Sequence, residues 1–172
     1  QKIEASNSCI GGCIWDWVDQ AIYDPQEMKE GIYRIHTGYD YPGPHQGNFC
    51  SNGIIPPTRE ESAKLKEVKA AHQFVKFDVK NVNMKKNRAT VTIYNDYDFT
   101  SLSAFNLVYD VVKEGRVVST RTVKLPDVKP HDTWKGEIKL PKAALKKADA
   151  ADTETMLNLR LVRRAATIYC EA

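Results

Sequence analysis

From Phe74 onward, apolar and polar positions alternate. Val75-Phe77-Val79, Ala89-Val91-Ile93, Phe105-Leu107-Tyr109-Val111 and Val117 to Val123 each set every second residue on an apolar face. Trp134 to Leu140 and Leu157-Leu159-Leu161 continue the pattern. A period of two is that of a half-buried strand. Turn residues separate the runs at Lys85-Lys86-Asn87, Lys113-Glu114-Gly115 and Pro126 to Asp132. Six or seven short strands in roughly 90 residues predict an antiparallel β-sandwich of immunoglobulin type for 74–172. The two core cysteines and the Trp of antibody domains are missing, so the expectation concerns architecture alone. Lys142 to Asp152, rich in Ala and Lys, reads as a short helix or a long loop before the last strand.

Residues 1–73 follow no such rule. Gln1 to Ser8 is compatible with the tail of a helix that Gly11-Gly12 break. Cys13 to Val18 is a short apolar run ending in polar residues, and it predicts a buried strand whose last residues emerge into a site. Asp19 to Gly31 is a polar connection containing Pro25. Tyr33 to Pro57 is a long irregular stretch of aromatics, amides, Gly and Pro; its candidates are a functional loop or an Ω-loop packed by its own side chains. Pro56-Pro57-Thr58 leads into a helix running to His72, with Thr58 as N-cap, Glu60 and Glu61 in its first turn, and Leu65, Val68, Ala71 and His72 on one face. His72 reads as a boundary residue of that helix rather than a ligand.

Composition narrows the function classes. Of the 172 residues, 42% are hydrophobic and 27% charged, as in ordinary globular chains, and the net charge of +3 is too small to argue for nucleic acid or a membrane surface. No apolar run approaches the ~20 residues of a membrane span. Cys9, Cys13, Cys50 and Cys170 fit no zinc spacing and read as buried free thiols, with a Cys9–Cys13 disulfide as the alternative. The N-terminus carries no initiator Met or signal pattern, and the chain looks cut from something longer, with no readable address.

The chemistry concentrates in Trp15-Asp16-Trp17. An indole face suits the apolar side of a pyranose, and a carboxylate suits its hydroxyls. The alternative is a core strand with one satisfied Asp. A glycosidase needs two facing carboxyl groups. The glutamates here fall on helix faces, in turns or at the termini, and Asp16 and Asp19 are the one pair expected to share a face of such a strand. No phosphate loop, zinc helix or nucleophile elbow is present. On this reading the chain carries no catalytic residue of its own.

Gly11 to Gln20, followed by Phe49-Cys50-Ser51-Asn52-Gly53, resembles the large β-galactosidases of glycoside hydrolase family 2 in motif order and spacing. The helix ending at His72 resembles the segment leaving that family's barrel, and Asn95 to Leu102 is similar to the sandwich that follows it. The resemblance implies a mainly β chain: 1–73 as the end of a truncated catalytic TIM barrel, 74–172 as the sandwich. It implies Trp15 as a wall of the galactose subsite. It also implies Phe49, through its carbonyl, and Asn52, through its side chain, as part of an incomplete sodium site, with Asn52 close to the sugar. His45 and Gln46 depart from the family's Asn and Asp at a peripheral magnesium site. The resemblance thus implies sodium and magnesium in the full-length enzyme and neither ion on the fragment alone.

The leading expectation is a fragment of a retaining β-galactosidase, inert by itself because the catalytic glutamates lie upstream. Its partners would be the galactoside substrate in the full-length enzyme and further copies of itself, with no nucleic acid and no membrane. The alternative is a stand-alone sandwich that binds a sugar or a protein, and a third reading makes the sandwich a spacer and assembly surface. Loss of barrel neighbours would leave Ile14, Trp15, Trp17 and Val18 exposed unless they pack on the sandwich or on a second copy.

Overall fold

In the computed structural model, which describes residues 3–45, 50–83, 85–142 and 154–168, the chain divides into two units, Gln1–Gln73 and Phe74–Ala172. The first holds β1 (Ile22–Tyr23), helix α1 (Pro25–Lys29), β2 (Ile35–His36), a 3-10 turn at Gly38–Asp40 and helix α2 (Ala63–Ala71). β1 and β2 pair antiparallel, Ile22 opposite His36. The connection expected to be merely polar therefore has its own structure. Its signal was Asp24-Pro25: the Asp24 carboxylate accepts the backbone N–H groups of Gln26 and Glu27, and Pro25 occupies the start of α1.

Four expectations for this unit are corrected. Ile3 to Cys9 makes two turns, Ser6 N–H to the Ile3 carbonyl and Cys9 N–H to the Ser6 carbonyl, and no helix. Cys13 to Val18 is not a strand; only Val18 forms a bridge, parallel to Ile55. A strand needs a continuous ladder, and among the described residues the backbone of 16–20 is bonded on one side alone, by residues 50–55. The long helix begins at Ala63 rather than near Thr58. Arg59 has φ +63° and its N–H closes a turn on the Pro56 carbonyl, so the chain is still turning there. Ser62 is the cap, its hydroxyl accepting the Leu65 N–H, and His72 closes the helix as an exposed C-cap. The thiols are also not buried: Cys9 and Cys13 are exposed and free, Cys50 is half-buried, and Cys170 lies outside the described residues.

The second unit forms every predicted strand. They are β3 (Val75–Asn83), β4 (Arg88–Asn95), β5 (Phe105–Lys113), β6 (Arg116–Lys124), β7 (Thr133–Lys139) and β8 (Thr155–Arg163). They make two antiparallel sheets, β3-β4-β7 and β6-β5-β8. This is the A-B-E and C′-C-F arrangement of immunoglobulin-type sandwiches. Glu114 (φ +47°) and Gly115 (φ +71°) close the β5–β6 hairpin as a two-residue left-handed turn. The core lies between the sheets: Ala89, Val91, Ile93 and Ile138 from one face Leu107, Tyr109 and Val111 from the other. The Lys142–Asp152 expectation falls almost wholly outside the described residues.

One polar residue organises an end of this core. Asn95 is fully buried. Its amide donates to the carbonyls of Thr100, Val128 and Lys129, and its oxygen accepts the Tyr97 N–H. Its backbone pairs with Asp132 and His131. Two loops are thereby tied to the end of β4, and every polar atom of that side chain is satisfied.

Candidate functional site

The tryptophan motif and the Cys-Ser-Asn-Gly segment lie against each other. Asp16 N–H donates to the Asn52 carbonyl (3.1 Å), and Ile54 N–H donates to the Asp16 carbonyl (2.9 Å). Ile55 N–H bonds the Trp17 carbonyl, Asp19 N–H the Ile55 carbonyl, and Gln20 N–H the Cys50 carbonyl. Such pairing of segments thirty or more positions apart fixes the backbone around Trp15 and Asn52 without needing a core.

Gly53 makes this approach feasible. A Cβ there would fall 2.2 Å from the Asp19 nitrogen and 2.6 Å from the Val18 carbonyl carbon, both backbone atoms. Any side chain would force the two segments apart. The space is used instead for a bond from Gly53 N–H to the Asp19 carboxylate (2.6 Å). The start of α2 holds the other side of the same segment. Lys64 Nζ donates to the Gly53 carbonyl and the Ser62 hydroxyl to the Ile54 carbonyl, each at 2.5 Å.

Asp16 and Asp19 do not act as a pair, which corrects the expectation of a shared face. They are three positions apart, so on an extended chain their side chains alternate. The Asp16 carboxylate accepts Trp17 N–H (2.7 Å) and the Gln20 amide (3.3 Å). Asp19 is taken by Gly53. Both carboxylates serve the backbone. The tryptophans also part. Trp17 lines a groove of about 430 Å³ with Leu65 and Val68 of α2 and with His72, its C-cap. Trp15 is 71% exposed.

Asn52 is half-buried, and its side-chain nitrogen is buried with no hydrogen-bond partner among the described residues. Since amide O and N exchange places by rotation, that position suits either a sugar oxygen or, with the oxygen turned in, a hard cation. Phe49 lies outside the described residues. Among the described residues no group of three His, Cys, Asp or Glu is arranged to hold a metal.

The loop between the two segments carries a cluster that sequence reading missed. His36 is buried, with Nε2 2.6 Å from the Glu27 carboxylate; Arg34 bonds the other Glu27 oxygen at 2.9 Å. Asp40 accepts the Thr37 N–H, and this bond, opposed by desolvation and aided by His36 and Arg34, holds its carboxyl below the ordinary value. Burial pushes the Tyr41 phenol up, and the carboxylates of Asp24, Asp40 and Glu27 add to it. Glu27, His36 and Asp40 come from α1, β2 and the 3-10 turn, and no local spacing announces them.

Residues 1–77 match the model of the glycosyl hydrolases family 2 TIM barrel domain, and residues 91–172 match that of β-galactosidase domain 4. The chain is similar to a β-galactosidase of Priestia megaterium, 37% identical over 72% of this chain and 11% of that protein. It is similar to one of Streptococcus thermophilus, 33% identical over 91% of this chain and 14% of that protein. β-Galactosidase 2 of Enterobacter cloacae is 29% identical over 94% of this chain and 15% of its own length. The chain thus spans no more than 15% of the length of these three relatives. With a barrel-domain match followed by a domain 4 match, and a sandwich where the latter falls, the chain belongs to the β-galactosidases of glycoside hydrolase family 2, of which it is a part.

Proposed function

We propose that the full-length protein hydrolyses terminal β-D-galactosides by the retaining route, and that this chain supplies a wall of the sugar subsite but none of the cutting groups. In that route one carboxyl protonates the leaving oxygen while a second attacks the anomeric carbon. Asp16 and Asp19 are committed to backbone N–H groups, which leaves both roles to residues upstream. The observation that carries the reading is the exposure of Trp15 beside backbone fixed to Asn52. The indole offers an apolar face to the galactose ring, and the Asn52 amide offers its unpartnered end to a sugar oxygen.

Asn52, with Phe49 by resemblance, would hold a sodium ion in the full-length enzyme. Such an ion supplies positive charge that orients sugar hydroxyls. Magnesium, which favours carboxylates and water, finds no such cluster among the described residues and enters no step here.

The test is turnover of a chromogenic β-galactoside. The chain alone gives none, and adding the missing upstream polypeptide restores it. Activity of the chain alone overturns the reading. The exposure of Ile14, Trp15 and Trp17 further supports self-association of the fragment. Sedimentation should show a mass that rises with concentration, and a monodisperse monomer would contradict this.

A further inference from the structure

We propose that the seam between β6 and β7 binds a small polyvalent oxyanion, of the class of phosphate-bearing small molecules. Tyr109 and Arg121 are direct partners across β5 and β6, so their side chains leave the same face of the sheet. Tyr109 belongs to the core, which places Arg121 on the inward face of an edge strand. From the other sheet, β7 brings the Lys139 carbonyl to the Tyr109 hydroxyl at 2.7 Å. β7 is also an edge strand, so among the described residues neither edge carries a further strand.

The seam is a groove of about 450 Å³ bounded by Arg121, Thr122, Lys139 and Lys142. A second groove of about 250 Å³ shares Lys139 and Lys142 and adds Lys86 and Arg88. The Leu140 N–H bond to the Asn87 carbonyl (2.8 Å) joins their floors. Among the described residues neither lining contains a carboxylate. Arg88 is neutralised by Glu137, but Arg121, Lys139, Lys142 and Lys86 form no ion pair among the described residues. Four basic residues without an ion pair among the described residues, Arg121 from the inward face of β6 and Lys139, Lys142 and Lys86 around it, therefore line two joined concavities.

A planar guanidinium and flexible ammonium groups suit a phosphate better than a single carboxylate. The volumes suit a small molecule. A long polyanion is disfavoured because Glu137 interrupts the positive surface next to Arg88. The competing account is that inward-pointing cations keep edge strands from pairing with another copy.

The experiment is an NMR titration of the full chain with inorganic phosphate and with pyrophosphate, against sodium chloride at matched ionic strength. Saturable shifts at the Thr122 and Leu140 amides are expected, tighter for pyrophosphate. Arg121→Gln with Lys139→Gln should weaken binding by about tenfold or more. Lys135→Gln, exposed on β7 outside the groove, should leave it unchanged. If that pair of substitutions disturbs the fold, as far-UV circular dichroism would show, Lys86→Gln with Lys142→Gln replaces it. Shifts that chloride reproduces, or that the substitutions leave intact, overturn the proposal. So does a doubly substituted chain that self-associates while the unsubstituted chain shows no saturable anion response.

Discussion

Ile55 is the one buried apolar side chain among the described residues of 1–73, whereas Val91, Ile93, Leu102 and Leu107 of the sandwich are fully buried. The first unit is held by backbone bonds between distant segments, by Gly53 and by two side chains of the α2 start. The second is held by two apolar faces pressed together. Hydrophobic burial contributes about 25 cal/mol per Å² and needs no direction, so the sandwich can stand by itself. Net hydrogen bonds contribute about 1 kcal/mol each, so the first unit has a defined arrangement without a comparable reserve.

The sharpest way to break this contrast is a matched pair of truncations. Leu107→Ala should destabilise the sandwich by about 2–5 kcal/mol in urea unfolding, while Trp15→Ala should change global stability by less than about 0.5 kcal/mol. Equal effects would show that Trp15 is core after all. Next, Asn95→Ala strips partners from three carbonyls in the sandwich and should cost about 2 kcal/mol, with amide exchange rising in both loops that Asn95 ties. Gly53→Ala should act locally. Exchange at the Asp19, Ile54 and Ile55 amides should speed up while β4 and β5 keep their protection, and galactoside turnover of the reassembled enzyme should fall.

The smallest effect concerns pH. Bonds from Thr120 and Arg160 to the ionised form hold the Asp110 carboxyl below its ordinary value, against desolvation. The folded state therefore binds fewer protons there than the unfolded one. Its stabilisation is complete above the ordinary carboxylate range and fades as pH falls toward the lowered value. Asp110→Asn should flatten that acid limb of the stability profile, and an unchanged limb would remove Asp110 from the account.

Legibility followed the same division. In the sandwich each strand was readable because one face is buried, and burial of one face forces apolar residues to every second position. Asp110 keeps the polar phase of β5 and is buried nonetheless, for a reason outside its own strand: its partners stand on β6 and β8. In the first unit the helix is capped by Ser62, four residues after the Thr58 that local pattern favours, because the left-handed Arg59 between them is not a sequence signal. The strand expected at Cys13 to Val18 failed because pairing, not composition, makes a strand, and its described partner lies on one side only.

By itself the sequence determined the sandwich, through periodicity, and the family, through two motifs whose spacing survives without any coordinates. Only the tertiary structure decided that Asp16 and Asp19 serve the backbone, that Gly53 lets Asn52 reach the tryptophan segment, and that Arg121 faces inward beside Lys139. Those are contacts between residues far apart in the chain. Local pattern records which face of an element is apolar, but not which distant atoms will come to rest against it.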